Sequence, residues 1–216
     1  MAGNRVSATD LRGLTTTYAH DEAGRVTRVT YPDGEAVTYE RDARGNVVCE
    51  TSSTGRAFMR TFDELCRKTS ETDADGVTTT FAYVGADLVF ETDALGNTTT
   101  YGHDGMGRVT SETDPEGNTS YTSYDAMGRV VAETDGSGAA MRYALDARGL
   151  LLALTDANGN TTAFSYDGAA NMTSMTTPSG GVWTYGYDGV GNLTLETDPS
   201  GHTTAYGYDG RGRKVS

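Results

Sequence analysis

The sequence has few of the residues that build a hydrophobic core. It contains no isoleucine, and its leucine, valine and phenylalanine residues together number 32 among 216. With a formal net charge of −13, this is the composition of many disordered chains. The chain is nevertheless rich in threonine (35 residues), valine (15), tyrosine (13) and glycine (28), which favour β-strands joined by tight turns. Composition therefore leaves two possibilities, a disordered chain or a β-protein with many turns.

Basic patches, paired cysteines and long apolar runs are also lacking. The acidic balance leaves little charge to neutralise phosphates, which argues against binding to nucleic acids or to an anionic membrane. The segment MAGNRVSATDLRGL has no apolar core of a signal peptide, and no window approaches the roughly 18 apolar residues of a membrane span. A secreted or cell-surface location therefore needs a route that this chain does not encode. Cys49 and Cys66 lack C-x-x-C spacing, so we expect two reduced thiols.

Two markers recur along the chain with one period. The first is an aspartate that opens a turn, with successive spacings of 21, 21, 41 and then five times 21 residues. The second is a glycine that closes another turn, and it shows the same spacing with the same one-residue deletion, near residues 83–89. Two markers with one period and one deletion identify a tandem repeat. The aspartates are Asp21, Asp42, Asp63, Asp104, Asp125, Asp146, Asp167, Asp188 and Asp209, and the glycines are Gly34, Gly55, Gly76, Gly96, Gly117, Gly138, Gly159, Gly180 and Gly201.

Each repeat divides into a first turn, a strand, a second turn and another strand, as in DGMGRVTSETDPEGNTSYTSY at residues 104–124. Aspartate suits the first position of a turn because its carboxylate accepts hydrogen bonds from the following backbone, and glycine suits the left-handed fourth position. The intervening segments are too short for typical helices and rich in Thr, Val and Tyr. We therefore predict an all-β fold of tandem antiparallel hairpins, forming one long sheet that curls or spirals into part of a shell or barrel.

Apolar and aromatic residues form columns in this pattern. Aromatic residues recur five and seven residues after the second glycine, as in Tyr185 and Tyr187 or Tyr206 and Tyr208, and period-two spacing places both on one face. Whether the apolar residues share that face depends on the register of the turns, which the sequence leaves open. The apolar column consists of Val26, Val47, Leu88, Val109, Val130, Leu151, Met172 and Leu193.

The pattern Y-x-Y-D-x-x-G-R-V-T-x-x-T-D-P-x-G, seen in YTSYDAMGRVVAETDGSG and YGYDGVGNLTLETDPSGHTTAYGYD, resembles the YD repeat of Rhs proteins, insecticidal Tc toxins and teneurins. The resemblance covers residues 11–216 as about ten tandem repeats, the last one incomplete, after a lead-in at residues 1–10. It implies a β-sheet that spirals into a hollow shell. In bacterial members the shell encloses a carboxy-terminal toxin, and in teneurins it serves adhesion between cells.

The resemblance also implies what this chain does not do. The motif R-Y-Y-D-P-x-x-G, where bacterial relatives release the toxin, does not occur in the 216 residues, and these residues contain no segment beyond the repeats that could be a toxin domain. We therefore expect a structural shell segment, secreted or cell-surface, with no catalytic residues, cofactor, metal or membrane span. Its expected partners are the remaining shell repeats and an enclosed toxin.

Three other functions deserve comparison. Tyr185, Tyr187, Tyr206 and Tyr208 are candidate binding residues for cell-surface glycans, although cross-strand packing explains their period equally well. Calcium binding is disfavoured because in TDANGN the glycine, Gly159, falls at the fourth loop position rather than the sixth. Enzyme activity is disfavoured because the ETD carboxylates recur in repeat after repeat and mark no unique site. Two of the three histidines, His20 and His103, stand in the aromatic column, where they replace tyrosine.

Overall fold

The computed structural model describes residues 4–216, and every regular element in this range is a β-strand. The chain forms two compact units, Met1–Gly107 and Arg108–Ser216. The strands of the first unit are β1 Ser7–Thr9, β2 Thr15–His20, β3 Val26–Thr30, β4 Ala36–Arg41, β5 Val47–Ser52, β6 Ala57–Phe62, β7 Lys68–Thr72, β8 Thr78–Val84, β9 Asp87–Thr92 and β10 Thr98–His103. The strands of the second unit are β11 Val109–Thr113, β12 Thr119–Tyr124, β13 Val130–Thr134, β14 Ala140–Leu145, β15 Leu151–Thr155, β16 Thr161–Tyr166, β17 Met172–Thr176, β18 Val182–Tyr187, β19 Leu193–Thr197 and β20 Thr203–Ala205.

Within each unit, every strand pairs antiparallel with its neighbours along the chain. The pairing is continuous from β1 to β10 and from β11 to β20. The predicted all-β fold of tandem antiparallel hairpins is confirmed. β1 lies inside residues 1–10, the segment expected to precede the repeats.

The one-residue deletion near residues 83–89 has a clear structural cause. Val84 pairs with Asp87, so only two residues form the loop between β8 and β9. The first of them, Gly85, has a φ of 60°, which suits the first central position of a type II′ hairpin turn. A two-residue turn thus replaces the longer turn of the other repeats, at the place where the sequence shows the one-residue deletion.

A β-bulge beside the first turn decides which side chains share a face. In the hairpin of β12 and β13, Ser123 pairs with Ala132 but Tyr124 pairs with Val130, and equivalent shifts recur in both units. Because of this extra residue, the apolar column lies directly opposite the aromatic residues that come seven positions after the second glycine, such as Tyr124. The aromatic and apolar columns therefore occupy one face, which we call the aromatic face, and the opposite face is called the threonine face.

Burial differs between the two faces but is complete on neither. In β16, Phe164 and Tyr166 on the aromatic face are half-buried, whereas Ala163 and Ser165 on the threonine face are exposed. Ala36, at 3% exposure, is the one buried apolar residue among residues 4–216. The described residues of each unit therefore form no interior core between layers, and the stability of the unit depends on the strand ladders and on cross-strand side-chain pairs.

Candidate binding surface

The turn aspartates bond to their own turns. Around Asp188, the backbone N–H of Gly191 donates to the Asp188 carbonyl at 3.1 Å, which closes a type I turn followed by a left-handed glycine. The Asp188 Oδ1 atom accepts the N–H groups of Val190 (3.0 Å) and Asn192 (2.9 Å), and Oδ2 accepts Asn192 Nδ2 at 2.8 Å. The Asn192 side chain first, and then its backbone N–H, hold the pKa of Asp188 below its usual range. Both carboxylate oxygens are thus used by the turn.

In three repeats, the second turn opens with a residue other than aspartate. Another side-chain oxygen then accepts the backbone N–H that the aspartate carboxylate accepts elsewhere. In the turn that Tyr31 opens, Asp33 Oδ1 accepts the N–H of Glu35 at 3.0 Å. In the turn that Thr177 opens, the threonine hydroxyl oxygen accepts the N–H of Gly181 at 3.0 Å. In these turns, the glycine N–H donates to the backbone carbonyl of the first turn residue. The N–H of the residue after the glycine therefore needs another acceptor, and a side-chain oxygen provides it. The recurrent aspartates are therefore structural.

The tyrosine before the first turn also bonds to the backbone. Its hydroxyl donates to the carbonyl of the residue fifteen positions earlier, at distances from 2.9 to 3.1 Å. Hairpins through the second turn have only three ladder pairs, so this hydroxyl bridges the two strands beyond the ladder. Where Arg41 replaces the tyrosine, its guanidinium donates to the backbone carbonyl of Val26 at 3.3 Å. The five pairs are Tyr83 with Lys68, Tyr124 with Val109, Tyr166 with Leu151, Tyr187 with Met172 and Tyr208 with Leu193.

The four candidate tyrosines lie on the aromatic face, and all four are half-buried. The hydroxyl groups of Tyr187 and Tyr208 serve the backbone, so only their rings remain for a ligand. Tyr185 stands directly opposite Glu196, and the Tyr206 hydroxyl donates to Glu196 Oε2 at 2.9 Å. Burial, and then the charge of Glu196, raise the pKa of Tyr185; the hydrogen bond to Glu196 raises the pKa of Tyr206. The structure thus groups two rings around one carboxylate, and ligand binding there stays a prediction.

Pairs of an aromatic ring and a glutamate recur on this face, a feature that the sequence analysis missed. Tyr143 donates its hydroxyl to Glu133 Oε2 at 2.6 Å, and Tyr39 stands opposite Glu50. The Glu133 hydrogen bond raises the pKa of Tyr143. Glu133 belongs to the recurrent ETD tripeptide and Glu50 to a related ETS, so a signal was present. The pairing follows only from strand register, since ring and glutamate belong to different strands.

Other candidate chemistry finds little support in residues 4–216. No group of three or more His, Cys, Asp or Glu side chains there is arranged to hold a metal ion. Across the same range, no helix is long and apolar enough to cross a membrane. Cys49 is half-buried, Cys66 is exposed, and both are free thiols.

Comparison with known proteins agrees with the tandem hairpins. A model of the RHS Repeat family matches residues 1–36, 21–57, 87–119, 146–182, 171–202 and 187–216, more than half of the chain. No curated protein sequence matches the chain.

Solved structures of larger complexes share the fold. The chain is similar to a protein chain in the crystal structure of TcdB2-TccC3-TEV, with a TM-score of 0.68 and 15% sequence identity. The match covers 97% of this chain and 13% of that chain. The chain also resembles one in the Photorhabdus luminescens Tc holotoxin pore with a TccC3 mutation, with a TM-score of 0.61 and 14% identity over 98% of this chain and 16% of that chain. The chain therefore spans less than a fifth of either protein chain. On the family match and its own repeats, the chain belongs to the RHS repeat family.

Proposed function

We propose that this chain is a structural segment of an encapsulating β-shell, as in Rhs-type toxin delivery proteins, without catalytic activity of its own. The observation that carries the proposal is that the recurrent polar residues form hydrogen bonds to the backbone. The turn aspartates bond to their own turns, and the tyrosine hydroxyls bond to the carbonyls of a neighbouring strand. Residues that serve the backbone in repeat after repeat build a sheet and leave no unique site for chemistry.

The proposed partners are further shell repeats and an enclosed carboxy-terminal toxin. Support comes from the fold shared with a chain of the TcdB2-TccC3-TEV complex. A single-layer sheet without an interior core suits this role, because its two faces meet different surroundings. We further propose a secreted or cell-surface location, since a protein that delivers a toxin to another cell acts outside its own.

Electron microscopy of the protein purified from its source cells, combined with limited proteolysis, tests this function. The shell proposal predicts a hollow particle containing a polypeptide that trypsin digests only after the particle is opened by denaturant. A particle without a lumen, or one whose every segment is digested at the rate of an unfolded chain, would contradict the proposal.

A second candidate function is recognition of cell-surface carbohydrate. The observation in its favour is the grouping of Tyr185 and Tyr206 around Glu196, because rings can stack on sugars while a carboxylate accepts sugar hydroxyls. A glycan array with the wild type and with Tyr185→Ala and Tyr206→Ala variants tests it. Binding that is lost in folded variants supports recognition, and an array without binding removes this candidate.

A further inference from the structure

Hollows recur on the aromatic face at one position of the repeat, and each contains a glutamate. In the first unit, one hollow of about 310 Å³ is lined by Glu50, and another of about 290 Å³ is lined by Glu71 and Phe81. In the second unit, a hollow of about 360 Å³ is lined by Glu133 and Met141. The repeat therefore places a carboxylate beside apolar surface in both units.

Lysines of the chain itself show that an ammonium group binds where a ring and a carboxylate lie together. Its sequence contains two lysines, and the ammonium group of each lies over a ring of the aromatic face. Lys68 Nζ is 4.4 Å from the ring centre of Phe81 and donates a hydrogen bond to Glu71. Lys214 Nζ is 3.9 Å from the ring centre of Tyr206, whose hydroxyl donates to Glu196. An aromatic ring beside a carboxylate attracts an ammonium through the ring quadrupole and the opposite charge.

The equivalent positions around Tyr143 and Glu133 hold uncharged residues. Lys68 lies three residues before Glu71, and the residue three before Glu133 is Val130. Lys214 lies eight residues after Tyr206, and the residue eight after Tyr143 is Leu151. The chain therefore supplies no lysine at either position here, and an ammonium from another polypeptide fits.

An apolar row extends from this pair across the second unit. Tyr143 stands opposite Leu154, and Met175 stands opposite both Phe164 and Trp183. All of these side chains are half-buried within a sheet that has no second layer. Glu133 lies at one end of the row and Glu196 at the other, so acidic charge flanks apolar surface. The row, named the Trp183 row below, consists of Tyr143, Leu154, Phe164, Met175, Trp183 and Tyr185.

We propose that the Trp183 row binds an extended polypeptide segment with apolar side chains and flanking lysines, one of which places its ammonium on Tyr143 and Glu133. Charge complementarity selects this partner, because both ends of the row are acidic and the whole chain carries a net charge of −13. The inference rests on the proposed shell function, since an enclosed polypeptide meets one face of the sheet.

Fluorescence titration tests this proposal directly, because Trp183 is the single tryptophan of the chain. The 216-residue chain is titrated with a nine-residue peptide that has an apolar centre and lysine at both ends, and with the same peptide ending in glutamate. We expect a saturable blue shift with the lysine peptide, weakened by salt, and roughly tenfold weaker binding of the glutamate peptide. The same titration with oligosaccharides probes the carbohydrate alternative.

Two variants and a control locate the ammonium. Glu133→Gln should weaken the lysine peptide roughly threefold to tenfold, the effect of losing one exposed cation contact. Val130→Lys recreates the arrangement of Lys68. The ammonium of the new side chain should compete with the peptide lysine and weaken peptide binding to a similar extent. Glu116→Gln changes the net charge equally at an exposed turn and should leave binding unchanged. Circular dichroism confirms that each variant is folded.

Several outcomes would overturn the proposal. They are an unchanged Trp183 emission with both peptides, equal binding of the lysine and glutamate peptides, or an equal loss in Glu133→Gln and Glu116→Gln. A blue shift with oligosaccharides alone would assign the row to carbohydrate instead. None of these results bears on whether the purified protein forms a hollow particle, so failure of this proposal and failure of the shell function remain distinguishable.

Discussion

Replacing Tyr166 with phenylalanine removes one hydroxyl group that joins two strands of a single repeat. The hydroxyl donates to the Leu151 carbonyl at 3.1 Å, beyond the three ladder pairs of β15 and β16. Its loss leaves the carbonyl without this donor, which should lower the free energy of unfolding by about 1 kcal/mol. For a chain of 216 residues, this corresponds to a fall of about 2–4 °C in the melting temperature.

The chain also offers the reverse change. Phe62 occupies the same column, fifteen residues after Val47, but carries no hydroxyl group. Phe62→Tyr should therefore supply the missing donor and raise the free energy of unfolding by about 1 kcal/mol. Tyr121→Phe is the matched control, because Tyr121 lies on the threonine face with 54% of its surface exposed, and it should change stability by less than about 0.5 kcal/mol.

Urea unfolding followed by circular dichroism measures all three variants. The denaturant dependence of the unfolding free energy should stay the same, so that the midpoints report stability alone. The reasoning fails if Tyr166→Phe costs no more than Tyr121→Phe, or if Phe62→Tyr lowers the midpoint.

Two further predictions concern the turns. Ala170 has a φ of 70° where most turns have glycine, so Ala170→Gly should raise the free energy of unfolding by about 1 kcal/mol and Gly159→Ala should lower it by about as much. Urea unfolding checks both, and a loss on Ala170→Gly would contradict the argument. Hydrogen bonds keep the pKa values of Asp125 and Asp188 below their usual range, so these carboxylates bind fewer protons when folded than when unfolded. Stability should be complete above about pH 5 and fall as the pH drops through the native pKa values, and a stability unchanged down to about pH 2.5 would show that the carboxylates do not support the turns.

The sequence predicted the hairpins because turn chemistry is local. An aspartate and a glycine three residues apart determine a turn by themselves, so the turns at Asp125 and Asp188 could be assigned without the structure. The same holds for the shortened repeat, whose missing residue pointed to the turn at Gly85. Local signals that recur 21 residues apart leave little freedom for another fold.

The shared face of Tyr124 and Val130 could not be predicted. A single bulge residue reverses the face of every following side chain, and no periodic pattern reveals it. The hydrogen bond from Tyr166 to Leu151 was missed for a related reason, since it joins the two strands beyond their three ladder pairs. Glu196 and Tyr185 come from two neighbouring strands, and Tyr206 follows the end of β20, so only strand register and the Tyr206 hydrogen bond bring the three residues together.

Amide hydrogen exchange, resolved residue by residue, most directly tests the claim that the repeat builds a ladder of hairpins within each unit. The account predicts slow exchange that recurs every 21 residues, with one step of 20 residues across residues 83–89. Protected amides should include the glycine N–H of each turn, as at Gly191, and the following N–H that the aspartate carboxylate accepts, as at Asn192. Uniformly fast exchange, or protection confined to one stretch without the period, would contradict it.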